Sequence, residues 1–201
     1  MKLVYKGILR DIKQLPKGNL PDNAVKFNEP TNFSKVLFFA FLFTLPALFL
    51  SAIFIVSSYM LHGYLNISYS MFGFFAFVLS VLPHELLHAI CFGKNANVEL
   101  FIAPQLQGLI VTSTKPISKW RYIVMSLMPN VIFTWLPLLV WMILPYHEFL
   151  SDFLFTLSMF SLVVGGADYM NVYNAFRQMP KGSLQQLSGL NSYWFMPSYI
   201  A

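Results

Sequence analysis

Apolar residues collect into four long runs separated by short polar or mixed segments, and this alternation organises the chain. The runs cover about 36–60, 69–92, 122–144 and 150–176. At 1.5 Å of rise per residue, each is long enough to cross about 30 Å of hydrocarbon as a helix. Pro46, Pro83, Pro129 and Pro137 lie within three of the runs. Neighbouring membrane helices re-satisfy the carbonyls a proline frees, so these positions mark kinks and not ends. The expected fold is an all-α polytopic membrane protein: four transmembrane helices across 36–176, with tails at 1–35 and 177–201. The connection between runs two and three reads differently. VELFIA and GLIVTST are rich in β-branched and aromatic residues and flank PQLQ, which predicts a short β-hairpin-like connection over 97–115. It is too apolar for a free loop and belongs at, or folded into, the membrane surface. The N-terminal tail, rich in Pro, Gly and Asn, reads as loop with a short helix before Leu15. Tyr193, Trp194 and Phe195 read as an interfacial anchor.

Composition supports the membrane reading. Apolar residues make up 57% of the 201 and charged residues 10%, against about 25% charged in soluble domains. The 13 basic residues give a net charge of +5, yet they form no clustered face, which argues against nucleic acid as a partner. They sit instead before the first run (Lys2, Lys6, Arg10, Lys13, Lys17, Lys26, Lys35), between runs two and three (Lys94, Lys115, Lys119, Arg121) and after the fourth (Arg177, Lys181). The connections at 61–68 and 145–149 contain none. The positive-inside rule then places both termini in the cytoplasm and the chain in a cell membrane, in a bacterium the cytoplasmic membrane. A single Cys, Cys91, excludes an intramolecular disulfide. Residues 1–35 contain no signal-peptide h-region, so the first run is expected to stay in the mature chain.

Candidate chemistry lies in the second run, at PHELLHA. His84 and His88 are four apart, so both imidazoles project from one helix face and two nitrogens can reach one metal ion. Glu85 follows the first histidine, where a carboxylate can take a proton from water instead of coordinating. From this chain's residue frequencies, a chance His-Glu-x-x-His has a probability of about 0.0015. A second His-Glu pair, His147–Glu148, lacks the later histidine and reads as solvated surface. The bland alternative is two histidines that hydrogen-bond to other spans and hold the bundle together. Against it stands the expense of ionisable groups at membrane depth, about 2.5–3.5 kcal/mol for each charged group at a helix centre.

Catalytic zinc takes three protein ligands and keeps one position open, so a third is needed. His84 is ten residues before Lys94, and Asp168 is nine before Arg177. Both therefore sit about 14 Å from the cytoplasmic charges. Depth favours Asp168 over the alternative, Glu99, in the cytoplasmic connection. Gly165 and Gly166 would let the Asp168 helix approach the histidine helix closely. Cys91 shares the histidine face and is a further soft ligand candidate, although a small buried cysteine is the commoner state. Asn130 and Asn171 fall at similar depth and could orient a ligand or donate to an oxyanion; plain interhelical hydrogen bonds explain them equally well.

HELLHA, then KPISKWRYIVMSLMP, then GGADYMNVYNAFRQMPKG resemble, over roughly 70–182, a family of small four-span bacterial proteins described as zincin peptidases. More distantly, the chain resembles the site-2 protease group of intramembrane zinc metalloproteases. That resemblance implies His84, His88 and Asp168 as ligands of Zn2+ and Glu85 as the catalytic residue. It also implies that the connection at 98–112 is similar to an edge strand that pairs with an unwound substrate segment. The expected function is therefore an intramembrane zinc metalloprotease acting on membrane-embedded or membrane-proximal peptide substrates, with the lipid bilayer as its surroundings. The alternatives are a catalytically inactive, metal-binding scaffold (a pseudoprotease) and, less favoured, a small metal transporter. Transport would call for ionisable groups at several depths, and here they gather at one.

Overall fold

The computed structural model describes residues 1–30, 32–106 and 108–197. Position 107 of the predicted connection, position 31 of the N-terminal tail and 198–201 of the C-terminal tail lie outside the described residues.

Among the described residues, three helices are long and apolar enough to cross a membrane: α1 (Phe33–His62), α2 (Met71–Cys91) and the helical stretch Lys119–Ile143. The third contains α3 (Lys119–Asn130) and α4 (Leu136–Ile143), joined by a π-helical turn at Val131–Trp135. Pro129 and Pro137 flank that turn, so two N–H groups are missing within nine residues. The ladder slips by one residue there, and Leu136 N–H donates to Val131 O.

The fourth predicted span is not one straight helix, which corrects the four-span expectation. Residues 150–176 form two helices, α5 (Glu148–Val164) and α6 (Gly166–Gln178), bent by 51° at Gly165. The pair counts as a further crossing only if the two are taken together as one broken span. The cause is local. Residues 166–178 carry Asp168, Asn171, Asn174, Arg177 and Gln178, polar groups on every turn, whereas residues 149–164 are nearly all apolar or hydroxylic. Both glycines also sit where a side chain would collide. A Cβ on Gly165 would overlap the Asn130 side chain, and one on Gly166 would overlap the Ala40 carbonyl and Thr44 Oγ1. The glycines do permit close approach, but to α3 and α1, and not to the histidine helix.

The all-α expectation is also wrong, because seven strands form two sheets among the described residues. In the first, β1 (Lys2–Ile8) runs parallel to β3 (Asn97–Ala103), which pairs antiparallel with β4 (Gly108–Thr112). The β3–β4 hairpin is the predicted one, with Phe101 opposite Ile110. The second sheet has the order β2-β7-β6-β5, built from Val25–Lys26, Asn191–Phe195, Leu184–Ser188 and Ile117–Ser118. The Tyr193-Trp194-Phe195 run is therefore strand β7, with Trp194 opposite Val25 and Phe195 buried.

The chain divides into two compact units. One comprises 1–33, 85–126 and 171–201 and holds both sheets. Its core includes Leu9, Leu15, Phe101 and Ala103, with Ile110 packed against them. The other comprises 34–84 and 127–170 and is helical. Leu138, Trp141 and Phe155 form a buried cluster in it, and Thr44, Ser51, Ser58 and Ser158 are buried in the same unit. Several of these hydroxyls return their proton to a carbonyl of their own helix, as Thr44 does to Ala40 and Ser158 to Leu154, so they can be buried without an orphaned donor. Every basic residue except Lys35 belongs to the sheet-bearing unit.

Candidate metal centre

Helix α2 is continuous through Pro83, and its last two turns carry the ionisable residues. His84, Glu85 and His88 lie within one helical turn of each other, and one ligand atom from each falls within 4.8 Å of the others. Two nitrogens and a carboxylate oxygen at that spacing suit a divalent cation. Among the described residues, no other set of three or more His, Cys, Asp or Glu groups is gathered so closely. Cys91, half-buried one turn further on, does not join the set.

Asp168 lies outside that cluster and reaches it through His84. Its Oδ2 stands 3.3 Å from His84 Nε2. Charge-assisted N–H···O contacts are usually about 2.7–2.9 Å. Two ligands of one tetrahedral zinc, at bond lengths of about 2.0–2.1 Å, stand about 3.3 Å apart. The separation is thus longer than a strong ion pair and equal to the edge of a zinc tetrahedron. Asp168 belongs to the first turn of α6, and its N–H donates to Gly165 O at 3.1 Å. The break at Gly165 makes this turn a helix N-terminus, where the dipole favours a carboxylate. Asp168 is only 8% exposed, and a buried carboxylate is expensive unless paired. Asn130, 2% exposed, donates from Nδ2 to Asp168 Oδ2 at 3.0 Å.

His88 is oriented from α3. Its Nδ1 lies 2.9 Å from the Met125 carbonyl. A carbonyl only accepts, so the contact is a hydrogen bond when Nδ1 carries the proton, which in the neutral ring leaves the lone pair on Nε2. A backbone carbonyl behind a metal-binding imidazole is a recurrent way of fixing ring and tautomer. No side-chain pattern reveals this contact, because the acceptor is backbone; the one signal in the sequence is Pro129, four residues after Met125.

Of the remaining candidates, Glu99 lies in β3, with its carboxylate 3.0 Å from Lys6 Nζ on β1. Asn171 follows Asp168 by three residues and is half-buried, and its side chain forms no hydrogen bond among the described residues. The structure therefore brings Asn130 to Asp168 and gives Asn171 no such link. Two imidazoles and a carboxylate on one helical turn fit zinc by chemistry, and the His84–Asp168 separation of 3.3 Å matches the distance between two zinc ligands.

A His-Glu-His turn with a buried aspartate beside its first imidazole is a donor arrangement of the kind zincins use. Residues 76–184, more than half of the chain, match the model of a family whose description reads "putative zincin peptidase". The chain belongs to that family, which makes it a metallopeptidase at the level of class, with zinc as its cofactor. No curated protein and no solved structure matches the chain.

Proposed function

We propose that the protein is an intramembrane zinc metalloprotease that hydrolyses peptide bonds of membrane-embedded or membrane-proximal substrates. The observation that carries the reading is the His84–Asp168 separation of 3.3 Å beside a His-Glu-His turn. In this reading His84, His88 and Asp168 hold the ion. Bound there, zinc supplies a Lewis acid for the scissile carbonyl and for the attacking water. Glu85, on the same helical turn as both histidines, takes the proton of that water and passes it to the leaving amine. Asn130 keeps Asp168 Oδ2 in place, and Met125 keeps the His88 ring in place. A substrate helix has to unwind to be cut, because its carbonyls are already bonded and sterically covered. Strand β4 ends the three-stranded sheet and offers an outer edge on which an extended segment could pair.

A cell-membrane location with both termini cytoplasmic goes with this reading. Supporting it are the pairing of β2 with β7, which joins the two tails in one sheet, and the presence of 12 of the 13 basic residues in the sheet-bearing unit. The test is a Glu85→Gln variant, purified in detergent and offered a mixture of synthetic transmembrane peptides, with products read by mass spectrometry. Zinc retained and cleavage lost is the expected result. Cleavage unaffected by the substitution, or a wild type that binds no zinc, contradicts the reading.

A further inference from the structure

Helix α3 contributes no ligand to the proposed zinc site, yet two of its groups hold residues that do. Its Met125 carbonyl accepts from His88 Nδ1 at 2.9 Å, and Asn130, five residues on, donates to Asp168 at 3.0 Å. In an uninterrupted α-helix the carbonyl of residue 125 accepts from the N–H of residue 129. Residue 129 is proline, which has no N–H, and the proline ring crowds the carbonyl four residues back. The helix therefore gives up its own donor at the carbonyl that His88 uses.

We propose that Pro129 is a positioning residue for the metal centre: by leaving the Met125 carbonyl without its helical donor, it secures the Nδ1–H tautomer of His88. The Nε2 lone pair is then presented without a competing tautomer. In a neutral imidazole only one nitrogen carries a proton, so whatever fixes the Nδ1–H bond also fixes which nitrogen can coordinate. An alanine at 129 would restore an N–H one turn below the carbonyl, always present and already aligned. That competitor would weaken the His88 bond and let the ring sample both tautomers. The adjacent Asn130 gives the Pro-Asn pair a double assignment: Pro129 acts on His88 through Met125, and Asn130 acts on Asp168 directly. Pro137 supplies an internal comparison. In an α-helical register it would remove the donor to the Phe133 carbonyl, eight residues on from Met125.

This inference rests on reading His88 as a zinc ligand, but its readouts are separate from peptide cleavage. Two measurements on the full chain in detergent test it. In the first, nitrogen-15 NMR of labelled histidine in metal-free wild type, assigned by difference against His88→Gln, is expected to show His88 in the Nδ1–H form. The Nε2–H form there would overturn the proposal, whether or not any variant folds. In the second, zinc affinity is measured by chelator competition in Pro129→Ala and Pro137→Ala. Pro129→Ala is expected to weaken zinc binding by about 10–100-fold, the usual range for losing a group that orients a ligand, and to mix the His88 tautomers. Pro137→Ala is expected to do neither. Equal losses in both variants, or a loss in Pro129→Ala with the tautomer unchanged, would reduce Pro129 to a helix-shaping residue and overturn the proposal. Failure of Glu85→Gln to abolish cleavage would sink the protease reading and leave this result standing.

Discussion

His84 Nε2 and Asp168 Oδ2 meet at 3.3 Å, one from the late turns of α2 and the other from the first turn of α6. If that meeting is half of a metal site, Asp168→Asn should lower zinc content sharply, because an amide is a far weaker ligand than a carboxylate. Glu99→Gln should leave zinc content unchanged, since Glu99 is engaged with Lys6. Elemental analysis of both purified variants checks the pair.

Asn130 is expected to matter through Asp168 and not through the fold alone. Asn130→Ala removes the 3.0 Å bond to Oδ2 and should weaken zinc binding by about 10–100-fold. Asn171→Ala, at a side chain with no hydrogen bond among the described residues, should change it little. Chelator competition on the two variants provides the comparison.

The two glycines at the α5–α6 break should respond differently to alanine. At Gly166 the new methyl meets the Ala40 carbonyl, which is backbone and cannot swing away. Gly166→Ala should therefore lower stability by about 1–3 kcal/mol or more, the range for overpacking, seen as a lower midpoint of thermal unfolding. At Gly165 the methyl meets the Asn130 amide, a side chain able to move. Gly165→Ala should displace Asn130 and cost zinc affinity more than stability.

Much of the candidate site is legible in the sequence because its signals are local. The spacing of His84, Glu85 and His88 on one turn needs only the helical period. Asp168 is singled out by its depth, counted in residues from the nearest basic end. The β3–β4 hairpin was visible as two apolar strands around a short turn. The remaining strands were not, because their partners are remote: Lys2–Ile8 pairs with Asn97–Ala103, and Val25–Lys26 with residues near the C-terminus. Strands of two residues carry no periodicity of their own. The break at Gly165 was hidden by averaging, since a window over 150–176 is apolar overall while its second half carries a polar group on every turn. The Met125 carbonyl left no side-chain trace.

Glu29 supplies a test of the sheet-bearing unit away from the metal. Burial pushes its carboxyl above the ordinary value, although the Ser192 N–H it accepts at 2.9 Å and nearby Lys26 pull the other way. A carboxyl whose folded pKa is raised binds its proton more tightly when folded. Its contribution is therefore most favourable at acid pH and is lost as pH rises from the ordinary carboxylate value through the raised one. Glu29→Gln keeps an acceptor for Ser192 and removes the titration. The variant's unfolding temperature should gain on the wild type as pH rises from about 4 to 7, an interval that begins near the ordinary carboxylate pKa. A constant difference would show that Glu29 ionises freely in the fold.

Zinc K-edge absorption on the purified wild type tests the central claim most directly. The account predicts two imidazole nitrogens and carboxylate or water oxygen, all at about 2.0–2.2 Å, with no sulfur. A sulfur shell at about 2.3 Å, which Cys91 alone could supply, or a shell lacking imidazole, would contradict it.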